Sequence, residues 1–306
     1  MATTSTYYLN APDLSSATAI FTDSALTTCA PNGYYRQGAV VRQLVGCVLL
    51  PPQTCPTCAD NCETTVEAVT TEGVYNIPIY TGEGPADVGA IVIRFDPATV
   101  PDGIQATYDG VVYNTLSSPN YGLLSGATGL ATYIGDSGAD CGLVIDSPYV
   151  LDVYSWYGSS FNPTSTTETV SVVSGQLDLT ASTPGTCVMV VPKPIATPAV
   201  IDLKVISPCP LTDFVMSIDC PVLLESFEST VVWETFASAC VALQNQTYHY
   251  VHVNGAAGVL GLYDWVFSDY YGENVLPDGY YGSTAVPSPN TWFRVQDGII
   301  VEFGGC

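Results

Sequence analysis

One pattern of fifteen residues occurs twice in this chain, and it limits the possible folds more than any other feature. Residues 21–35 read FTDSALTTCAPNGYY and residues 267–281 read FSDYYGENVLPDGYY. The two align without a gap: Phe, Asp, Pro, Gly, Tyr and Tyr are identical, Thr22 faces Ser268, and Asn32 faces Asp278. The likeness continues in RQLVGCVL (42–49) and RVQDGIIV (294–301), with Arg42 set against Arg294 after a six-residue insertion in the second copy. A pattern repeated at this length marks a duplicated structural unit.

The pattern also reads physically. Pro31-Asn32-Gly33 and Pro277-Asp278-Gly279 are structural turns, because Pro presets φ and Asn or Asp before Gly tolerates positive φ. The Tyr pair after each turn starts a strand, and a second turn at Gly46 or Asp297-Gly298 reverses the chain into an apolar strand. Each copy is therefore a β-meander of roughly 45 residues, too small to bury much surface alone, and is expected to pack on a larger domain or another subunit. Asp23 and Asp269 recur at one position of the pattern, which favours a structural task such as capping the turn backbone.

Between the copies, short β-branched or aromatic runs alternate with turn signals. Residues 104–116, IQATYDGVVYNTL, read as a hairpin closed by Asp109-Gly110. The fold class expected is all-β: a multi-domain β-sandwich with the small duplicated β-meander module at each end. The organisation read from the chain is a small β module at 1–50, a Cys/Pro/Thr-rich linker or knuckle at 51–73, and a β-sandwich domain at 74–194. A second β unit follows at 195–247, and the C-terminal copy of the module at 248–306. Residues 225–243 carry the one helical pattern, with Val232, Phe236, Cys240 and Leu243 near one face, although Thr230-Val231-Val232 fits a strand equally well.

Composition narrows the function. Acids outnumber bases 29 to 6, giving a formal charge of −23, so neither nucleic acid nor anionic lipid finds a basic patch. No apolar run is long enough to span a bilayer, and the N-terminus has no basic and apolar stretch of the Sec type. Only 11% of residues are charged, which leaves a surface of Thr, Ser, Tyr, Asn and Gly suited to subunit packing or carbohydrate.

Catalysis is not expected. The two histidines, His249 and His252, sit three apart in an alternating strand and point to opposite faces. Acid pairs such as Asp264/Asp269 or Asp136/Asp140 arise by chance among so many carboxylates. No phosphate, dinucleotide or calcium motif is present, and no cofactor is expected. Cys47, Cys55, Cys58 and Cys62 could bind structural zinc, but the second CxxC is missing. The competing reading, a mixture of disulfides and buried thiols, is preferred. Eleven cysteines is an odd number, so the terminal Cys306 is a candidate for an intermolecular bridge. Tyr34, Tyr35, Tyr280, Tyr281 and Trp292 are candidate ligand or partner contacts, with Trp292 placed in a loop between prolines; core packing is the competing reading.

The stretches YYLNAPDLSSATAIFTDSALTTCAPNGYYRQG, the CPTC knuckle, GAIVIRFDPATVPDGIQATYDGVVYN, PGTCVMVVPKP and YDWVFSDYYGENVLPDGYYGS together resemble virion structural proteins of tailed phages infecting aquatic bacteria. The resemblance spans nearly the whole chain. It implies a non-enzymatic structural protein made in the host cytoplasm and exposed on the particle, as a head decoration or fibre component. Its partners would be other virion proteins and itself, a trimer being favoured, with a host-surface glycan possible and no nucleic acid or membrane insertion. The alternatives are a carbohydrate- or receptor-binding adhesin module and a self-assembling filament subunit.

Overall fold

The structure, a computed structural model, describes residues 6–14, 16–37, 40–51, 53–54, 60–69, 71–98, 102–117, 148–156, 160–171, 179–180, 186–210, 212–253 and 258–306. The fold is all-β with several sheets. Asp136, Asp140, Cys55 and Cys58 lie outside the described residues, as do the runs expected to form strands at 130–134 and 143–145.

In the N-terminal copy, β1 (Tyr8–Leu9) pairs with β2 (Ile20–Phe21). A meander of β3 (Gly33–Gln37), β4 (Val40–Val45) and β5 (Val48–Leu49) follows, and β6 (Gln53–Thr54) adds to β4. Leu14, Ala17, Ile20, Ala30, Leu44 and Leu49 make a separate small core.

The sandwich is built from β7 (Asp60–Asn61), β8 (Thr64–Val69), β9 (Gly73–Tyr80), β10 (Gly89–Asp96), β11 (Asp102–Tyr108) and β12 (Val111–Tyr113). It continues through β13 (Pro148–Trp156), β14 (Phe161–Ser171), β15 (Leu179–Thr180), β16 (Cys187–Lys193), β17 (Val200–Ser207) and β18 (Asp213–Ile218). One sheet has the order β16-β10-β18-β8, the other β12-β11-β17-β9-β13-β14. The β11–β12 hairpin turns at Asp109-Gly110, both with positive φ, as the Asp-Gly signal requires. Strands β17 and β18 pair inside these two sheets, so the sandwich continues past the boundary read at residue 194.

Period-two alternation fills the space between the sheets. Ile91, Ile93 and Phe95 of β10 and Phe214, Met216 and Ile218 of β18 meet Ile77 and Ile79 of β9 and Leu203 and Val205 of β17. The opposite face of β10 and β16 is covered as well: Ala90, Val92 and Val188 pack against Val251, Trp265 and Phe267 of the C-terminal copy. A strand buried on both sides reads as an unbroken apolar run, and AIVI (90–93) of β10 is one, ending at Arg94. The molecule is thus three layers deep at this point.

The C-terminal part contains β19 (Glu225–Ser229), α1 (Phe236–Val241), β20 (Gln246–Val251), β21 (Trp265–Phe267), β22 (Gly279–Gly282), β23 (Trp292–Gln296) and β24 (Ile299–Gly304). They form one six-stranded sheet in the order β19-β20-β21-β24-β23-β22. The helix expected over 225–243 is mostly absent. Residues 225–229 pair with β20 and turn Phe227 into the core, and residues 230–233 run extended, as β-branched Thr-Val-Val prefers. Only the six residues Phe236–Val241 are helical, capped by the Thr235 hydroxyl.

Candidate interaction surfaces

The duplication holds at the level of single hydrogen bonds. Phe21 bridges Cys29, and Phe267 bridges Val275. Thr22 N donates to Thr28 O as Ser268 N does to Asn274 O, and Ala30 N donates to Ile20 O as Leu276 N does to Val266 O. The Tyr35 hydroxyl donates to Pro31 O and the Tyr281 hydroxyl to Pro277 O. Asn32 Oδ1 accepts from Gly46 N, and Asp278 Oδ1 from Asp297 N, so each turn tripeptide holds the next turn in place. Both second turns have two central residues at positive φ, Gly46-Cys47 and Asp297-Gly298, the type I′ geometry that suits a twisted hairpin.

Strand register corrects one part of the alignment. Tyr35 pairs with Arg42 and Tyr281 with Phe293, while Leu44 and Val295 occupy the same place opposite Gly33 and Gly279. The second copy is therefore longer by five residues, not six, and Arg42 is the counterpart of Phe293, not of Arg294. The mismatch is physical: Phe293 stacks on Tyr281, whereas Arg42 spends the same buried position on four backbone carbonyls.

Asp23 and Asp269 do cap the turn that follows them. Asp23 accepts from Thr27 N and Thr28 N, and Asp269 from Tyr271 N, Glu273 N and Asn274 N. The Thr27 backbone N–H is foremost in holding the Asp23 carboxyl below its ordinary pKa. For Asp269 partial burial pushes upward, but the backbone N–H groups outweigh it and the net direction is down. A carboxylate whose folded pKa is lowered contributes stability above its unfolded pKa and loses it as pH falls through the folded value. We expect Asp269→Ala to lower stability by about 1–2 kcal/mol at pH 7 and by progressively less as the pH falls through the lowered pKa, as read by chemical denaturation.

The copies differ in what covers them. Tyr281 is fully buried, and burial pushes its hydroxyl pKa up. Trp292 is not in a loop: it opens β23, is buried, and stacks on Phe236. Tyr280 is half-buried against Phe236 and Trp292. Tyr280 and Trp292 are packing residues because Phe236 of α1 lies on them, and Tyr281 because it faces the core of the copy, against Phe293 and Tyr248. In the N-terminal copy Tyr34 is 67% exposed, and Tyr35 packs edge-on against Tyr7. A second face differs in the same way. Phe267, Gly272 and Ile299 rest on the sandwich, where a Cβ on Gly272 would touch Val190 and Ala90. Their counterparts are Phe21, Leu26 and Val48; Leu26 and Val48 stand in solvent, and Leu26 keeps the left-handed φ of Gly272.

The zinc reading fails at two of its four positions. Cys47 is bonded to Cys29 and Cys62 to Cys220, so these thiols point into separate disulfides. Cys306 is bonded to Cys240, which makes the expected intermolecular bridge intramolecular and ties the chain end to α1. Cys209 is also disulfide-bonded, and Cys187 lies in the sandwich core.

The titratable pairs are structural. Asp264 is buried and accepts from Val253 N and Gly261 N, with His252 Nδ1 at 2.7 Å from its second oxygen. Burial raises its pKa, and those donors work against the rise. His249 Nδ1 lies 3.2 Å from Leu224 O, at the seam between copy and sandwich. Asp264 and Asp269 each serve their own backbone donors and do not share a site.

A cleft of about 760 Å³ opens where β12 and β16 meet β21 and β24. Tyr113, Trp265 and Phe267 supply its apolar wall, and Asn114, Glu273 and Asp297 its polar rim. Compared with protein-family models, with curated proteins and with solved structures, the chain matches none.

Proposed function

We propose that this chain is a non-enzymatic structural component of a tailed-phage particle, exposed on the head as a decoration or carried on a fibre. One observation supports it above the rest: the chain holds two copies of one module, one seated on the sandwich and the other with its matching face open. A module whose twin is a packing unit, presented with Leu26 and Val48 in solvent, is a ready attachment point for another protein of the particle. The sandwich then becomes the displayed part.

A carbohydrate-binding adhesin is the second reading. Its aromatic surface would be the cleft beside Trp265 and Phe267, since Trp292 is covered. Immunogold electron microscopy with antibodies raised against the folded, purified protein tests both. Gold on intact particles is the expected result. Gold absent from both intact and disrupted particles would overturn the particle assignment, and gold on uninfected host envelopes incubated with the purified protein would favour the adhesin.

A further inference from the structure

Strand β22 is covered on its outer edge. Trp233 N donates to Tyr280 O and Tyr280 N to Trp233 O, both at 2.9 Å, in an antiparallel bridge, and Thr230 N donates to Gly282 O at 3.0 Å. A Cβ on Gly279 would lie 2.5 Å from Val232 Cγ2 and 2.9 Å from Trp233 O. The glycine there answers to a chain segment laid across it.

The equivalent strand β3 ends its sheet among the described residues. By the register shared with β22, the N–H and C=O of Tyr34 point outward, away from β4. A Cβ on Gly33 would meet nothing within 4 Å, and its φ lies outside the left-handed range, so the chain itself gives no reason for a glycine. Gly33 and the exposed Tyr34 thus keep the shape of a covered edge, with no covering segment among the described residues. An open edge of this kind is a template for strand addition.

Charge indicates what completes it. Residues 1–50 contain Asp13, Asp23, Arg36 and Arg42 and are neutral overall, so the whole −23 is carried by residues 51–306. Two copies that approach through the N-terminal module meet without the net repulsion that their bodies would impose. The chain's own covering segment, residues 230–233, is already committed to β22. We propose that β3 pairs with β3 of a second copy, antiparallel across a two-fold axis, so that each Tyr34 edge satisfies the other and the assembly closes. The pairing is two-fold, in contrast to the trimer that the family resemblance implies. It rests on the two copies alone and not on the particle assignment.

The test uses the full-length chain in analytical ultracentrifugation across a wide concentration range. Wild type is expected to dimerise. Tyr34→Pro removes only an outward N–H, which an edge strand tolerates, and is expected to be monomeric with an unchanged melting curve. Tyr34→Ala keeps the backbone edge and should still dimerise, with dissociation raised about tenfold for the lost ring contacts. Should Tyr34→Pro unfold its module, hydrogen exchange of the wild-type Tyr34 amide decides instead, with protection rising with concentration expected. A wild type that stays monomeric, a trimer, a Tyr34→Pro chain as dimeric as wild type, or a Tyr34 amide whose exchange ignores concentration would each overturn the pairing.

Discussion

Replacing Asp102 by Asn should flatten the pH dependence of stability between about pH 4 and pH 8, with the variant far more stable than wild type at the upper end. Asp102 opens β11 and is fully buried. Its two oxygens accept from the Thr212 hydroxyl, both at 2.7 Å. Burial pushes its carboxyl up to about 8, against the Thr212 and Ser207 hydroxyls that pull it down, and Asp213 adds to the rise. The sign follows from proton counting. Below about pH 4 the folded and unfolded chains both hold the proton, and Asp102 makes no difference. Between that point and the folded pKa only the unfolded chain releases it, so unfolding is favoured more with each pH step. A displacement from 3.8 to about 8 corresponds to a penalty on the order of 5 kcal/mol once the full window is crossed. Urea melts at half-unit steps, wild type minus Asp102→Asn, isolate this group from the other carboxylates. A difference that does not change with pH would mean that Asp102 is not held protonated in the fold.

Arg42→Met should cost about 3–5 kcal/mol and act on the N-terminal module, leaving the sandwich and C-terminal copy intact. The Arg42 guanidinium donates to Leu14 O at 3.1 Å, Ala17 O at 2.5 Å, Leu49 O at 3.0 Å and Leu50 O at 2.7 Å. It ties the 13–17 turn to β5 from inside a module whose apolar core is six residues. Methionine matches the stem but leaves these carbonyls without that donor, and a buried acceptor left unmade costs more than the bond contributed net. Arg42→Lys should recover little, because a compact ammonium with three donors does not span the four carbonyls that the wider guanidinium reaches. Limited proteolysis with peptide mapping reads it: new cleavage confined to residues before 55 is expected. Equal protection in variant and wild type would show that the module does not depend on this donor set.

Both results turn on residues that the sequence describes poorly. The turn tripeptides, the Asp-Gly hairpin and the alternation in β9 and β11 are local, and local chemistry is readable from neighbours in the chain. Asp23 and Asp269 were readable because a repeat separates what both copies need from what one copy happens to have. Arg42 was not, since the register that sets it against Phe293 is fixed by pairing with Tyr35 and not by likeness to Arg294. The covering of Trp292 also escaped, because Phe236 arrives from a helix 56 residues earlier that has only one buried residue to announce it. Disulfide partners separated by 66 and 158 residues are set by the closed fold and leave no spacing signal.

The double coverage of β10 and β16 has a consequence for how the molecule comes apart. Ala90, Val92, Val188, Trp265 and Phe267 belong to no single segment, and the Trp265 indole donates to Val188 O at 2.9 Å across the seam. Removing residues 248–306 would therefore not trim an appendage; it would uncover Ala90, Val92 and Val188 and take away the His252 carbonyl to which Arg94 of the same strand donates. Residues 60–306 should melt in one transition while the first module melts in another. Any attempt to study the chain in pieces would have to keep the sandwich and the C-terminal copy together.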